Sequence, residues 1–125
     1  MQAPEGILCS KTHEWILKED NLATIGLTDY AVEQLGDVVF IELPEVDAKF
    51  EKDEVFATIE SVKPASEIYM PVKGKIVETN QDLINSPELI NENPYDAWLV
   101  KIECDDFAND SQGLLEYSDY IEEVE

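Results

Sequence analysis

The chain has 125 residues, 44% hydrophobic and 9% aromatic, enough for one packed domain of ordinary size. Its 29 acidic residues face eight basic ones, all lysine, for a formal charge of −21 and a sequence pI near 4.1. Phosphate backbones and anionic membrane surfaces repel such a molecule, which argues against nucleic-acid and membrane partners; the excess carboxylates either steer the chain toward basic protein faces or keep it dissolved.

At the N-terminus there is no charged-then-apolar leader and no Arg-rich presequence, and nowhere is there an apolar run of about eighteen residues. A cytoplasmic location is expected if the chain is bacterial, and a mitochondrial one if a presequence has been removed. Cys9 and Cys104 form no CxxC, so they are expected to be two buried, reduced thiols. His13 is the only histidine, which removes any HxxxH metal pair and leaves Ser-His-Asp chemistry without a local signature.

Residues 13 to 27, "HEWILKEDNLATIGL", predict two strands around a turn at Glu19-Asp20-Asn21, with Ala23, Ile25 and Leu27 on one face. "TDYAVEQLG" then predicts a short helix, capped by Thr28 or Asp29 and stopped by Gly36. "DVVFIELP" is too apolar and β-branched for a half-exposed strand, and Pro44 is expected to end it. "DEVFATIES", "SEIYMP" and "GKIVETN" are further short strands, so a closed or sandwiched sheet is expected. The segments "IELPEVDAKFEKDEVFATIE" and "EIYMPVKGKIVE" each run strand, proline, lysine-bearing turn, strand, which suggests a weak internal twofold.

"NQDLINSPELINENPYD" predicts an ordered loop with helical turns rather than a linker. "AWLVKIE" predicts a final buried strand. After it, Leu114, Tyr117, Ile121 and Val124 recur at helical spacing, so a C-terminal helix docked on the sheet is expected, with ends blurred by Gly113 and the closing acids. Trp15 and Trp98 are expected in the core.

Lys63 falls between two strands, in "ATIESVKPASEIYMPVKG", with Glu60-Ser61 before it and Ser66-Glu67 after it. Pro64 disfavours helix at Lys63 and presets a tight turn, so the amine is expected at an exposed hairpin tip. Two uses are open from the residues alone. The lysine can pair with Glu60 and Glu67 across the strands, a contact worth about 0–1 kcal/mol; or it can be the base of a covalent arm, whose amide would remove the ammonium charge.

Five stretches in register, "HEW" at 13–15, "IGLTDYAVEQLGDVVFIELPEV" at 25–46, "ESVKPASEIYMPVKGKIVETN" at 60–80, "SPELINENPY" at 86–95 and "WLVKIE" at 98–103, resemble the H proteins of the glycine cleavage system, nearly end to end. The resemblance implies a mainly β, lipoyl/biotinyl-type barrel-sandwich hybrid with a short internal helix and a C-terminal helix. It implies one lipoyl-carrier domain over 1–125, with a lipoyl-type core at about 22–104 and a C-terminal helical segment at about 105–125. It further implies lipoic acid in amide linkage to Lys63 and no catalysis by the chain itself. The implied partners are glycine decarboxylase, a pyridoxal-phosphate enzyme that loads an aminomethyl group onto the arm, and aminomethyltransferase, which passes it to tetrahydrofolate. Dihydrolipoyl dehydrogenase, using FAD and NAD, and a lipoate-attaching enzyme complete the set. A tether raises effective concentration at successive sites while the fold shelters the labile group.

The same resemblance implies that the loaded arm folds into a surface cleft where Glu14 and Glu67 lie near Thr12 and meet its amine; otherwise both carboxylates are ordinary solvated surface. Proline directly after the modified lysine, and a loop "EVDAKFEKDE" without glycines, depart from the family pattern. A biotin carrier would show methionines beside the lysine, where this chain has Val62 and Pro64. A 2-oxoacid dehydrogenase lipoyl module would read "DKA" and carry a flexible linker. Two alternatives stay open: a relay that donates lipoyl or octanoyl groups to such modules, and an unmodified interaction module.

Overall fold

The computed structural model describes residues 3–63 and 65–124. In chain order the strands are β1 (Leu8–Cys9), β2 (Glu14–Glu19), β3 (Leu22–Leu27), β4 (Val38–Glu42), β5 (Lys49–Phe50), β6 (Val55–Ser61), β7 (Ser66–Tyr69), β8 (Gly74–Thr79), β9 (Val100–Glu103) and β10 (Leu115–Glu116). Five helical segments join them: α1 (Asp29–Leu35), α2 (Gln81–Asn85), α3 (Leu89–Glu92), α4 (Phe107–Asp110) and α5 (Tyr117–Val124). A seven-stranded sheet, β10-β1-β2-β3-β9-β8-β5, faces a three-stranded sheet, β4-β6-β7, and all the pairings are antiparallel.

The expected hairpin forms with the expected faces. β2 pairs with β3 from Glu14↔Leu27 to Glu19↔Leu22, leaving Asp20 and Asn21 as the turn, with Asp20 at φ 57°. Ala23, Ile25 and Leu27 enter the main core together with Ile41, Ile59, Ile68, Ile76, Leu83, Leu99 and Ile102. β2 is buried on both faces, which explains why Glu14, Trp15 and Ile16 are all hidden. Ile16 points into the main core, whereas Trp15 points the other way into a second cluster with Ile7, Cys9, Tyr95 and Tyr120. The C-terminal helix closes that second cluster, as Tyr120 donates or accepts at 2.8 Å with both Thr28 Oγ1 and His13 Nδ1.

Helix α1 starts at Thr28, whose side chain accepts from the Ala31 N–H at 3.2 Å; Asp29 is the first helical residue instead. Gly36 ends it at φ 74°, ψ −152°, a conformation that residues bearing a Cβ resist. The glycine-free loop keeps its left-handed positions, filled by Asp47 at φ 77° and Asp53 at φ 70°, since aspartate tolerates this region better than most residues. Around the suspected twofold, the Asp47 N–H donates to Ile76 O at 2.7 Å and the Ile76 N–H to Ala48 O at 2.8 Å, tying the two proline-bearing segments together.

Four expectations need correction. β4 is half exposed: Val39 is 58% and Phe40 45% accessible, because β4 is an edge strand whose register against β6 slips between Val38 and Phe40. Leu114 lies outside the C-terminal helix, since residues 115–116 pair with β1 before α5 begins. Cys104 is only half buried, though both cysteines are free as expected. Trp98 is half buried as well, lying under the Lys101 ammonium at 4.9 Å, while Trp15 is in the core as expected. The seven-stranded sheet takes in β1, β2 and β10, all of which lie outside residues 22–104. The turn expected at Pro64 lies outside the described residues.

Candidate functional site

β6 and β7 form the hairpin that carries Lys63, in the register Thr58↔Glu67 and Ile59↔Ser66. Ile59 and Ile68 are buried and anchor the strands, whereas Val62 and Lys63 are exposed beyond the end of β6. The Lys63 N–H donates to Ser61 Oγ at 3.1 Å, and the Val62 N–H donates to Asp37 O at 3.1 Å. The latter bond ties the tip to the segment following α1.

The Lys63 ammonium does not pair with Glu60 or Glu67. It donates from Nζ to Gln34 O at 2.8 Å, in the last turn of α1, where carbonyls without helical partners favour a cation. Among the described residues the one ion pair within 4.0 Å joins Lys73 and Glu51. Gly36 borders the lysine loop: a Cβ there would meet Val62 Cγ2 at 3.4 Å and Lys63 Cε at 3.9 Å, ordinary contacts, so it is the φ of 74° and not lack of space that calls for glycine. Asn91 of α3 holds the same turn, accepting at Oδ1 from the Val38 N–H at 2.9 Å and donating from Nδ2 to Gly36 O at 2.8 Å. Asn91 and Gln34 O had no signal in the residue pattern; Gly36 did, as a helix terminator.

Glu14 is 1% accessible, so it is not solvated surface. Ser10 Oγ donates to its Oε1 at 2.5 Å, Thr12 Oγ1 donates to the same oxygen, and the Tyr69 N–H donates to Oε2 at 3.3 Å. Burial raises its pKa above 4.5, and the hydrogen bonds from Ser10, Thr12 and Tyr69 oppose the rise. Thr12 and Glu14 are therefore brought together, with Thr12 exposed and Glu14 behind it. Glu67 lies two residues before Tyr69 on β7, exposed and making no hydrogen bond with either of them among the described residues. Ser10, the third member of the Glu14 cluster, was not anticipated.

Burial makes both thiols less acidic than usual, pushing Cys9 up to about 12 and Cys104 up to about 11. Among the described residues no group of three or more His, Cys, Asp or Glu is arranged to hold a metal ion, and no helix is long and apolar enough to cross a membrane.

Two facing antiparallel sheets with a few short helices place the fold in the lipoyl-type barrel-sandwich class. The family model for the glycine cleavage H-protein matches residues 7–125. A glycine cleavage system H protein from Halothermothrix orenii is 47% identical over 128 residues, covering 100% of both chains. One from Staphylococcus epidermidis is 50% identical over 127 residues, covering 99% of this chain and 98% of its own. The crystal structure of a glycine cleavage system H protein from Mycobacterium marinum superposes with a TM-score of 0.88 at 33% identity, covering 97% of this chain and 98% of that one. The chain belongs to the glycine cleavage H-protein family. Its role is that of a lipoyl carrier in the glycine cleavage system, a component that works with the other members of that system and is not itself catalytic.

Proposed function

We propose that Lys63 bears lipoic acid as an amide, and that the arm takes the aminomethyl group from glycine decarboxylase to aminomethyltransferase. A lipoate-attaching enzyme installs the group, and dihydrolipoyl dehydrogenase restores its disulfide. The observation that carries this reading is the exposed Lys63 amine at the tip of the β6–β7 hairpin, in a chain of this family. An acyl group at Nζ meets open solvent and displaces a single hydrogen bond, the one to Gln34 O. When bound, the lipoyl group supplies a reactive disulfide at the end of a flexible tether.

The chain's own residues do the rest. Acylation removes the ammonium and replaces a charge-assisted bond to Gln34 O by, at most, a neutral one, which frees the side chain to swing above a hairpin that stays fixed. The strands below are held by Ile59 and Ile68 in the core, so the base of the arm does not move with it.

Glu14 is the residue we assign to the amine carried by the arm. Its Oε1 already accepts from two hydroxyls, but Oε2 accepts only the Tyr69 N–H and keeps a free acceptor position. A cation arriving there would favour the ionised form that burial disfavours. In this reading the exposed Thr12, bonded to Glu14, would border the approach of the amine, and the exposed Glu67 would add negative charge two residues from Tyr69 on β7. A cytoplasmic site of action accompanies this reading, in line with the bacterial relatives.

The test is glycine–bicarbonate exchange with glycine decarboxylase and the lipoylated chain, run beside transfer of the acyl group to a 2-oxoacid dehydrogenase lipoyl domain. Exchange that is abolished in Lys63→Arg supports the carrier reading, because arginine keeps the charge but forms no lysyl amide. Transfer without exchange replaces it by the relay.

A further inference from the structure

We propose that the exposed apolar patch of Val39, Phe40 and Val62 is the docking surface for the enzyme that acylates Lys63, and that this enzyme offers an apolar recess with a basic rim. The inference rests on Lys63 being the attachment residue. Val39, Phe40 and Val62 are 58%, 45% and 71% accessible, and are among the most exposed large apolar side chains described. They come together because the register slip between Val38 and Phe40 turns consecutive residues of β4 outward, and because the Val62 N–H bond to Asp37 O lays the start of the lysine loop beside them.

The rim is acidic on the same face. Directly paired residues share a face of a sheet, and so do residues two apart on one strand. Phe40 is paired with Glu60, Glu42 with Thr58 and Thr58 with Glu67, so one outer face carries Phe40, Glu42, Glu60 and Glu67. An apolar centre ringed by charge of one sign is the pattern of a protein-docking site, and it calls for the opposite sign on the partner. Glu60 and Glu67, the two carboxylates that flank Lys63 in the sequence, thereby have a use other than pairing with it.

Reach selects the partner. An acylating enzyme must bring Nζ itself to the reacting carbonyl, and a lysine amine stands only roughly 6 Å from its Cα by ordinary bond lengths. Its active-site rim therefore has to rest on whatever surrounds the hairpin tip. Enzymes that handle the loaded arm meet a group roughly twice as far out, and can stand off from the patch. In the acylation step Nζ attacks the carbonyl carbon of an acyl adenylate, the amide bond forms, AMP leaves and the amine gives up a proton.

The experiment measures acylation of the full chain by a lipoate–protein ligase with ATP and lipoic acid, read by intact mass over a range of carrier concentrations. Phe40→Ser with Val62→Ser should raise the KM for the carrier at least tenfold while kcat stays within twofold, and Phe40→Leu with Val62→Ile should restore it. Glu60→Lys should raise KM and flatten its salt dependence. These residues are exposed, and unchanged circular dichroism and melting confirm the fold of each variant. A KM within twofold of wild type overturns the proposal, as does normal acylation combined with loss of exchange by the decarboxylase, which would assign the patch to that enzyme. Wild-type protein that takes up no acyl group on Lys63 under saturating ligase sinks the attachment reading instead, and so separates the two failures.

Discussion

Replacing Gly26 by alanine would drive a methyl group into the Trp15 ring, which lies opposite it across β2 and β3. An ideal Cβ at Gly26 stands 2.6 Å from Trp15 Cε2 and 2.7 Å from Cζ2 and Nε1, far inside ordinary carbon contact at about 3.5–4.0 Å. The ring has little room to retreat. It is 2% accessible, packs on Tyr95 with centroids 6.1 Å apart, and donates from Nε1 to Pro94 O at 3.3 Å. Overpacking costs about 1–3 kcal/mol, and loss of the indole hydrogen bond adds about 1 kcal/mol. The smaller unfolded-state entropy of alanine returns about 0.4–1 kcal/mol. A net loss of about 1–3.6 kcal/mol remains, which for a chain this size lowers Tm by roughly 4–14 °C. Urea unfolding followed by tryptophan emission, together with a thermal melt, measures it. Trp15→Phe in the Gly26→Ala background should recover part of the loss, because the smaller ring lacks the Cζ2 edge and can shift away from the new methyl group. A Gly26→Ala protein within about 0.5 kcal/mol of wild type would refute the packing described here.

Glu14→Gln tests the buried carboxylate. Burial raises its folded-state pKa above 4.5, so the stability it contributes is present below about pH 4.5 and is lost as pH rises through the folded value. The glutamine variant should gain on wild type across that window, as read by urea unfolding at pH 4 and pH 7; a difference independent of pH would contradict the assignment. His13 behaves in the opposite sense: burial lowers its pKa below 6.5, so its contribution is present above pH 6.5 and fades as pH falls through the folded value. Melting curves between pH 7.5 and 5 should fall more steeply for wild type than for His13→Gln, and parallel curves would rule this out. Asn91→Ala removes bonds to the Val38 N–H and Gly36 O and should cost about 1–3 kcal/mol in urea unfolding; no loss would mean the turn below Lys63 holds itself.

The elements that could be read from sequence were those whose signals are local. Alternation in "LATIGL", the Thr28 cap and the Gly36 stop depend on neighbouring residues, and all three stand. What depends on distant partners was out of reach. Val39 and Phe40 look like core by composition, and only the edge position of β4 and its bulge expose them. Leu114 fits a helical spacing, yet pairing with β1 across the length of the chain claims the next two residues as strand. The site divides in the same way. An exposed Lys63 follows from its place between two strands, but the carbonyl it rests on belongs to Gln34, and a backbone oxygen leaves no mark in a sequence. Neighbouring residues alone leave Glu14 as surface, and only the family resemblance places it in a cleft; its burial, with Ser10, Thr12 and Tyr69 bonded to the carboxylate, has no local signal.

Peptide mapping by mass spectrometry of the chain purified from its own cells bears most directly on whether Lys63 is the point of attachment. A lipoyl increment on the peptide spanning Lys63, absent from a Lys63→Arg strain, is the expected result. A full-length protein with that lysine unmodified, in cells that break down glycine through it, would contradict the account.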